Sequence, residues 1–186
     1  MTNEPEVEHK QKKLSRWKIL LVVLLFVILI PSLAFFVGRW IDTVFGLPTF
    51  PPFPFNLIVG AVVIPSGVVL AWAAIFQLYR AGLGLPWGDV DAPAQSTQLV
   101  TTGVYAYTRN PMVLGFLIML SGIGWVAQSI IAIILNPAVA FILLWIWLKQ
   151  REEPRLEQRF GDAYRAYKKT TPLIIPRLWR RAKKGE

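Results

Sequence analysis

The sequence predicts an all-α integral membrane protein with about four transmembrane helices. The last two should form a hairpin, and a cytoplasmic C-terminal helix should follow them. Two observations lead to this prediction: 54% of the 186 residues are hydrophobic, and they are gathered in long runs. Because a soluble domain of this size is usually less than half apolar, the chain falls into the membrane class.

The first apolar run extends from Ile19 to Gly38, about 20 residues, which is enough to cross a bilayer core of about 30 Å. A basic region precedes it, as in a signal peptide. The run is longer than a typical signal core, however, and no clear small-x-small cleavage site follows. We therefore expect a retained helix, bent at Pro31.

The next two segments are a proline-rich connector and a second span. Residues 39–56 contain four prolines among phenylalanines, which disfavours a regular helix and favours an aromatic connector at the headgroup layer. The second span is predicted from Leu57 to Tyr79. A polar connector rich in glycine and proline follows, from Arg80 to Thr102, and connectors of this length are often functional or mobile.

Two further apolar runs, Met112–Ala127 and Ile130–Leu148, are separated only by Gln128 and Ser129. A single helix through both runs would be about 55 Å long at about 1.5 Å per residue, nearly twice the bilayer core. A hairpin that turns near Gln128 is therefore predicted.

The lysines and arginines favour four spans. Five precede the first run, one (Arg39) lies between the first and second, two lie between the second and third, and twelve follow Leu148. With four spans, both termini and the middle loop lie on the cytoplasmic side, where basic residues are enriched. We therefore expect a multi-pass protein with both termini cytoplasmic and a basic tail, Arg177 to Lys184, beside anionic lipid headgroups.

Composition excludes several kinds of site. The chain has no cysteine, and its only histidine is His9 in a charged tail, so thiolate or histidine metal sites and histidine-based triads are excluded. The formal charge of +9 is explained by a membrane protein that faces the cytoplasm, and no nucleic-acid partner is expected. A small transporter is disfavoured, because the four runs contain no Asp, Glu, Lys or Arg.

The candidate chemistry lies in two stretches that flank the hairpin. Residues 98–115 read Q-L-V-T-T-G-V-Y-A-Y-T-R-N-P-M-V-L-G, and residues 151–167 read R-E-E-P-R-L-E-Q-R-F-G-D-A-Y-R-A-Y. The second stretch has apolar residues three or four apart, which predicts a helix, and Pro154 could mark a bend where it leaves the membrane. Both stretches should face each other and form a binding pocket at the membrane surface.

Several of these residues have a structural explanation as well as a functional one. Glu152 and Glu153 could bind ribose hydroxyls or a cationic group, or they could be solvated charges paired with nearby basic residues. Asn110 and Pro111 suit the start of a helix, while Arg109 and the exposed N–H groups at that start attract anions.

Together the two stretches resemble the isoprenylcysteine carboxyl methyltransferase family. Its pattern is roughly L-V-x-x-G-x-Y-x-x-x-R-H-P-x-Y-x-G, then a membrane hairpin, then E-E-x-x-L-x-x-x-F-G-x-x-Y-x-x-Y. This chain matches over about residues 97–176, and its second stretch is followed by P-L-I-I-P. The related phospholipid N-methyltransferases have a similar C-terminal half.

The resemblance implies a membrane-embedded methyltransferase that binds S-adenosylmethionine without a Rossmann fold and takes a lipophilic acceptor from the bilayer. The cofactor would lie between the loop before the third span and the helix after the hairpin. The residues that the resemblance assigns to the cofactor are Leu99, Val100, Tyr105, Arg109, Asn110, Pro111, Glu152 and Glu153. It identifies no catalytic residue in this chain.

The expected organisation has four parts. Residues 1–18 form a cytoplasmic basic tail, and residues 19–96 form two spans with their connectors. Residues 97–176 form the methyltransferase-like region with its hairpin, and residues 177–186 form a second basic tail.

The sequence departs from the family pattern at three positions. Asn110 replaces the usual histidine, Val113 replaces an aromatic residue, and Leu148 stands where the family has a substrate-associated arginine. Asn110 can hydrogen-bond a ligand but has no titratable group.

The acceptor is left open. An isoprenylcysteine-like carboxylate is ionised near neutral pH and needs no base, whereas a phospholipid amine or a thiol must lose a proton. Another small lipophilic substrate is a further possibility. A non-catalytic membrane scaffold related to the family is the alternative from another class, and it has no reason to bind S-adenosylmethionine.

Overall fold

The computed structural model describes residues 17, 20–21, 24–82 and 98–176. These residues contain helices joined by turns and loops. The elements are a π-helical turn Leu24–Leu29, α1 Ile30–Val44, α2 Phe55–Gly82, a 3₁₀ turn Gly103–Ala106, α3 Pro111–Val126, α4 Ile130–Trp147, a second π-helical turn Leu148–Glu152 and α5 Glu153–Thr170. The predictions for the two basic tails and for most of the connector after α2 concern residues outside these ranges.

Within the part of the chain that the structure describes, three helical stretches are long and apolar enough to cross a membrane, which confirms the all-α membrane class. They are Leu24–Val44, Phe55–Arg80 and Ile130–Thr170, and in the last of these the charged residues begin only after α4. The remaining apolar helix, α3, has 16 residues and is therefore about 24 Å long, shorter than a bilayer core of about 30 Å. Seven of its residues are buried, so much of α3 faces protein.

The first helix does not end at Gly38 as predicted but continues to Val44 and includes two charged residues. Its polar end is bonded to the hairpin turn: the Asp42 Oδ1 accepts the Ile131 N–H at 3.2 Å, and Arg39 donates to the Gln128 carbonyl at 3.3 Å. Hydropathy alone cannot foresee these partners, because they come from residues about 90 positions away.

Close packing between the helices depends on small residues. A Cβ on Gly67 of α2 would lie 2.5 Å from the Gly115 carbonyl of α3, and one on Gly38 of α1 would lie 2.6 Å from the Ala132 Cβ of α4. Large apolar side chains such as Leu143, 62% exposed, point outward instead. Small residues inside and large apolar residues outside are the arrangement expected in lipid.

The α3–α4 hairpin turns where the sequence predicted. Gln128 takes a left-handed conformation with φ 52°, and the Ser129 side chain caps α4 by accepting the Ala132 N–H at 3.0 Å. The proline-rich connector between α1 and α2 is bonded to this turn. The Phe50 N–H donates to the Gln128 carbonyl, and the Gln128 side-chain amide donates to the Pro51 carbonyl.

The predicted bend at Pro154 was wrong. Pro154 lies in the first turn of α5, where its missing N–H is not needed, and the helix continues through it from α4. The backbone instead breaks at Gly161, with φ 54° and ψ −128°. A Cβ at Gly161 would meet no atom within 4 Å, so glycine is needed there for its conformation and not for space.

A small buried cluster closes the open end of the hairpin. It consists of Val113, Leu117, Leu148 and Ile174, with Leu173 packed against it. Because α3 starts and α4 ends at this side, the loop before α3, the charged helix α5 and the segment after it all meet here. The candidate residues are thus gathered at one end of the membrane helices.

Candidate functional site

The loop before α3 is shaped by a side chain from α2. The Gln77 amide donates to the Thr102 carbonyl at 2.6 Å and accepts the Val104 N–H at 3.1 Å. Gly103, between them, has φ 56°, and a Cβ there would overlap the Gln77 amide. The glycine of the first motif is therefore required both for its backbone angle and for space.

The same loop is bonded to the segment that follows α5. The Arg109 N–H donates to the Pro172 carbonyl at 2.9 Å, and the buried Thr108 hydroxyl lies 2.8 Å from the Ile174 carbonyl. The Asn110 side-chain amide donates to the Leu173 carbonyl at 3.1 Å. Residues 172–174, the P-L-I that follows the second stretch, thus hold the loop before α3 in place through their carbonyl groups.

Asn110 occupies the N-cap position of α3 and Pro111 the first helical turn, as predicted. The Asn110 side chain makes no capping bond to the helix. Its Nδ2 donates to the Leu173 carbonyl, so the side chain joins the loop to the segment after α5.

Arg109 and Glu153 form the ion pair at the centre of the site. They are 9% and 4% exposed, and the Arg109 Nη1 lies 2.6 Å from Glu153 Oε1. Lys149 and Lys168 also approach Glu153 Oε2, at 3.3 and 3.2 Å. Burial alone raises the pKa of Glu153, but Arg109 and then the two lysines outweigh it, so the pKa is lowered and the carboxylate stays ionised.

Two tyrosines of α5 connect the second motif to the first. The Tyr164 hydroxyl accepts a hydrogen bond from Arg109 Nη1 at 3.1 Å, and the Tyr167 hydroxyl donates to the Tyr105 carbonyl at 2.6 Å. Both tyrosines are buried and follow the break at Gly161. The loop and α5 are therefore joined at two points.

Glu152 is less buried than its neighbour Glu153. It lies in the π-helical turn, and its charge acts on Tyr105 and Tyr164. Burial, followed by the Glu152 charge, raises the pKa of Tyr105, and burial is also the largest cause that raises the pKa of Tyr164 to about 12. The two predicted carboxylates thus differ in burial: Glu153 is buried among three cations, and Glu152 is half-buried.

Leu99 and Val100 begin the described loop. Leu99 is half-buried and Val100 is 7% exposed. The structure brings Tyr105, Arg109 and both glutamates together, while a ligand role for Leu99 and Val100 stays a prediction.

Sequence reasoning assigned no role to several residues that build the site. They are Gln77, Thr108, Tyr164, Tyr167 and the segment 171–174. The two tyrosines were visible as the Y-x-x-Y of the second motif, and Gln77 as an isolated polar residue near the end of an apolar run. Their partners, however, lie between 25 and 66 residues away and could not be read from the sequence.

The arrangement favours binding and orientation over covalent catalysis. At neutral pH the raised pKa values keep Tyr105 and Tyr164 protonated, and the lowered pKa of Glu153 makes it a weak base. Glu152 is a further carboxylate, and its charge acts on both tyrosines.

The chain is similar to several known proteins. It is 37% identical over 81 residues to protein-S-isoprenylcysteine O-methyltransferase of Schizosaccharomyces pombe, covering 42% of this chain and 33% of that protein. It is 30% identical over 122 residues to methanethiol S-methyltransferase 1 of Bradyrhizobium diazoefficiens, covering 65% and 39%. It is also 35% identical over 85 residues to the nickel-cobalt-cadmium resistance protein NccN of Alcaligenes xylosoxydans xylosoxydans, covering 45% and 38%.

These similarities span only about a third or slightly more of each relative's length. The family described as phospholipid methyltransferase, by contrast, matches residues 55–163, from the start of α2 into α5. That match covers more than half of the chain and includes the whole loop, hairpin and ion-pair region. The protein therefore belongs to the phospholipid methyltransferase family.

Proposed function

We propose that this protein is an S-adenosylmethionine-dependent methyltransferase that acts on a lipophilic acceptor at the membrane surface. The observation that supports it most is the meeting of two distant motifs at one end of the hairpin. Arg109 lies 2.6 Å from Glu153 and Tyr105 is bonded to Tyr167, although 44 and 62 residues separate the partners.

The residues present fit this cofactor. Glu152 offers acceptor oxygens for ribose hydroxyls or an ammonium group, beside the ring of Tyr105. Arg109 Nε is buried and has no hydrogen-bond partner within the described ranges, so one donor is left for a ligand carboxylate. When bound, S-adenosylmethionine supplies an electrophilic methyl group on a sulfonium.

The contribution of the chain is alignment. In-line transfer needs the acceptor atom, the methyl carbon and the leaving sulfur in one line, and such positioning can supply about 7–11 kcal/mol. The loop suits this task because Gln77, Asn110 and Thr108 bond it to two other segments. We assign no general base.

The acceptor is an amphiphile that reaches the site from the bilayer. The matching family favours a phospholipid amine, while the similarity to the Schizosaccharomyces pombe enzyme favours an isoprenylcysteine carboxylate. A carboxylate suits the weakly basic site better, because it is already ionised near neutral pH.

Binding of the cofactor tests the proposal directly. The detergent-purified protein is titrated with S-adenosylmethionine and S-adenosylhomocysteine by calorimetry. Saturable binding of both is expected, as is transfer of labelled methyl to an isoprenylated cysteine or to phosphatidylethanolamine. A folded protein that binds neither compound is a scaffold, and the proposal then fails.

We further propose that the site faces the cytoplasm, with both termini on that side and residues 97–176 forming the cofactor-binding region. Single cysteines are placed in this cysteine-free chain at Pro5, Pro52 and Lys183. An impermeant thiol reagent applied to intact cells should label only the cysteine at position 52. Labelling at 5 or 183 but not at 52 contradicts this orientation.

A further inference from the structure

Tyr164 and Tyr167 lie three residues apart on the part of α5 that follows Gly161. They are 2% and 8% exposed, and their rings meet edge to face with centroids 6.3 Å apart. Each directs its hydroxyl at the first motif: Tyr164 to the Arg109 guanidinium and Tyr167 to the Tyr105 carbonyl. Residues at this spacing share a helix face, so one short segment supplies both contacts.

Each tyrosine fixes a group that has a further partner. Tyr105 is held through its carbonyl by Tyr167 and through its own hydroxyl, which lies 3.4 Å from the Ala74 carbonyl of α2. Arg109 is held between Glu153 at 2.6 Å and the Tyr164 hydroxyl at 3.1 Å. With two anchors each, the Tyr105 ring and the Arg109 guanidinium are confined to one orientation.

The break at Gly161 makes this possible. In an uninterrupted helix, the position of Glu153 would fix the direction in which the two tyrosine side chains leave the helix. The left-handed glycine at φ 54° instead resets the direction of residues 162–170. The second motif therefore has two parts, of which the first supplies the glutamates and the second supplies the tyrosine contacts.

We propose that Tyr164 and Tyr167 are positioning residues that fix Arg109 and Tyr105 in the geometry that the cofactor requires. This inference rests on the proposed function, because it concerns the same site. The tyrosines touch other residues of the site and need not touch the ligand. Their removal should loosen the loop before α3 in the ligand-free protein and weaken cofactor binding as a consequence.

The experiment compares Tyr164→Phe and Tyr167→Phe, which remove only the hydroxyls, with Thr170→Val. Thr170 lies on the same segment, is exposed, and bonds only to the Tyr167 carbonyl of its own helix among the contacts described. Hydrogen–deuterium exchange of amides 103–110 is measured without ligand. S-adenosylmethionine affinity is measured by calorimetry well below the melting temperature of each variant.

Both phenylalanine variants should exchange amides 103–110 faster than wild type and bind S-adenosylmethionine about 3- to 10-fold more weakly, as expected for loss of one hydrogen bond. Thr170→Val should stay within about twofold in both measurements, and amides of α2 and α3 should be unchanged in all variants. A residue with only a structural role lowers the melting temperature but does not change the affinity of folded protein.

Three results overturn the inference. Unchanged exchange in both variants shows that the hydroxyls do not hold the loop, whatever the cofactor result. Faster exchange with wild-type affinity shows a purely structural role. Faster exchange in a protein whose wild type binds no S-adenosylmethionine removes the proposed function and this inference with it. If Tyr164→Phe does not fold, Tyr167→Phe decides alone, because its bond ends on a main-chain carbonyl and strands no charge.

Discussion

Alanine substitutions of the two adjacent glutamates at the membrane boundary should affect two different properties, stability and cofactor affinity. Glu153 is 4% exposed and its oxygens lie 2.6 Å from Arg109, 3.3 Å from Lys149 and 3.2 Å from Lys168. Glu152 is half-buried, and its charge acts on Tyr105. We expect Glu153→Ala to lose stability and Glu152→Ala to lose cofactor affinity.

The magnitude for Glu153→Ala follows from the burial of its partners. Removal of one member of a buried ion pair costs about 3–5 kcal/mol, because the other charge is left unpaired. Only Arg109 is buried; the side chains of Lys149 and Lys168 are 39% and 36% exposed, so water screens them and they add little. We therefore take the lower end, about 3 kcal/mol. For a chain of this length that lowers the melting temperature by about 6–12 °C.

Glu152→Ala removes a charge-assisted hydrogen bond to the cofactor, worth about 1.5–3 kcal/mol, so affinity should fall roughly 10- to 100-fold. Its melting temperature should change by less than about 4 °C, because Glu152 is half-buried and water screens its charge more than that of Glu153. Melting is followed by the fluorescence of the eight tryptophans, and binding by calorimetry. Asp162→Ala, whose side chain is 95% exposed, is the control and should change neither quantity.

Two results contradict these roles of Glu153 and Glu152. A Glu153→Ala protein that melts within about 2 °C of wild type shows that the buried pair does not hold α5 to the loop. A Glu152→Ala protein that binds S-adenosylmethionine as tightly as wild type places the cofactor elsewhere.

Three further predictions concern the loop and its ion pair. Asn110→Ala should lose about 1 kcal/mol of stability, because the Leu173 carbonyl loses the Asn110 Nδ2 donor and is left with the Thr108 hydroxyl at 3.2 Å; an alanine variant as stable as wild type contradicts this. Wild-type cofactor binding should show no pH step near about 6.5, whereas Asn110→His should introduce one. The lowered pKa of Glu153 stabilises the protein above its unfolded value of about 4.5, so stability should fall with pH below that value, and the fall should be shallower in Glu153→Gln; identical melting curves from pH 6 to pH 3 would show no linkage. Gly103→Ala should lower the free energy of unfolding by more than about 1 kcal/mol. In a Gln77→Ala background the same substitution should cost less, because the clash with the Gln77 amide is gone, but it should still cost something, because the positive φ remains. If Gly103→Ala has no cost in that background in denaturation experiments, backbone strain is excluded.

Hydropathy and charge determined the membrane class, the apolar helices and the hairpin turn near Gln128. These features are local: a run of apolar residues must be helical in lipid, and a polar pair between two runs marks a turn. The same local rules placed the end of the first helix too early and the helix break at Pro154. Asp42 accepts a hydrogen bond from the start of α4, and Gly161 adopts a positive φ that a hydrophobic pattern does not encode.

The motifs determined which residues belong to the candidate site but not how they divide the work. Glu152 and Glu153 are adjacent in sequence and are the same type of residue. The folded structure places a buried arginine and two lysines beside Glu153. The side chain of Asn110 has the chemistry of a helix cap, but in the folded structure its Nδ2 donates to the Leu173 carbonyl and no capping bond forms. The sequence alone thus specified the fold class and predicted where the candidate site lies. The tertiary structure decided each residue's role, because burial and the choice of ion-pair or hydrogen-bond partner depend on residues distant in the chain.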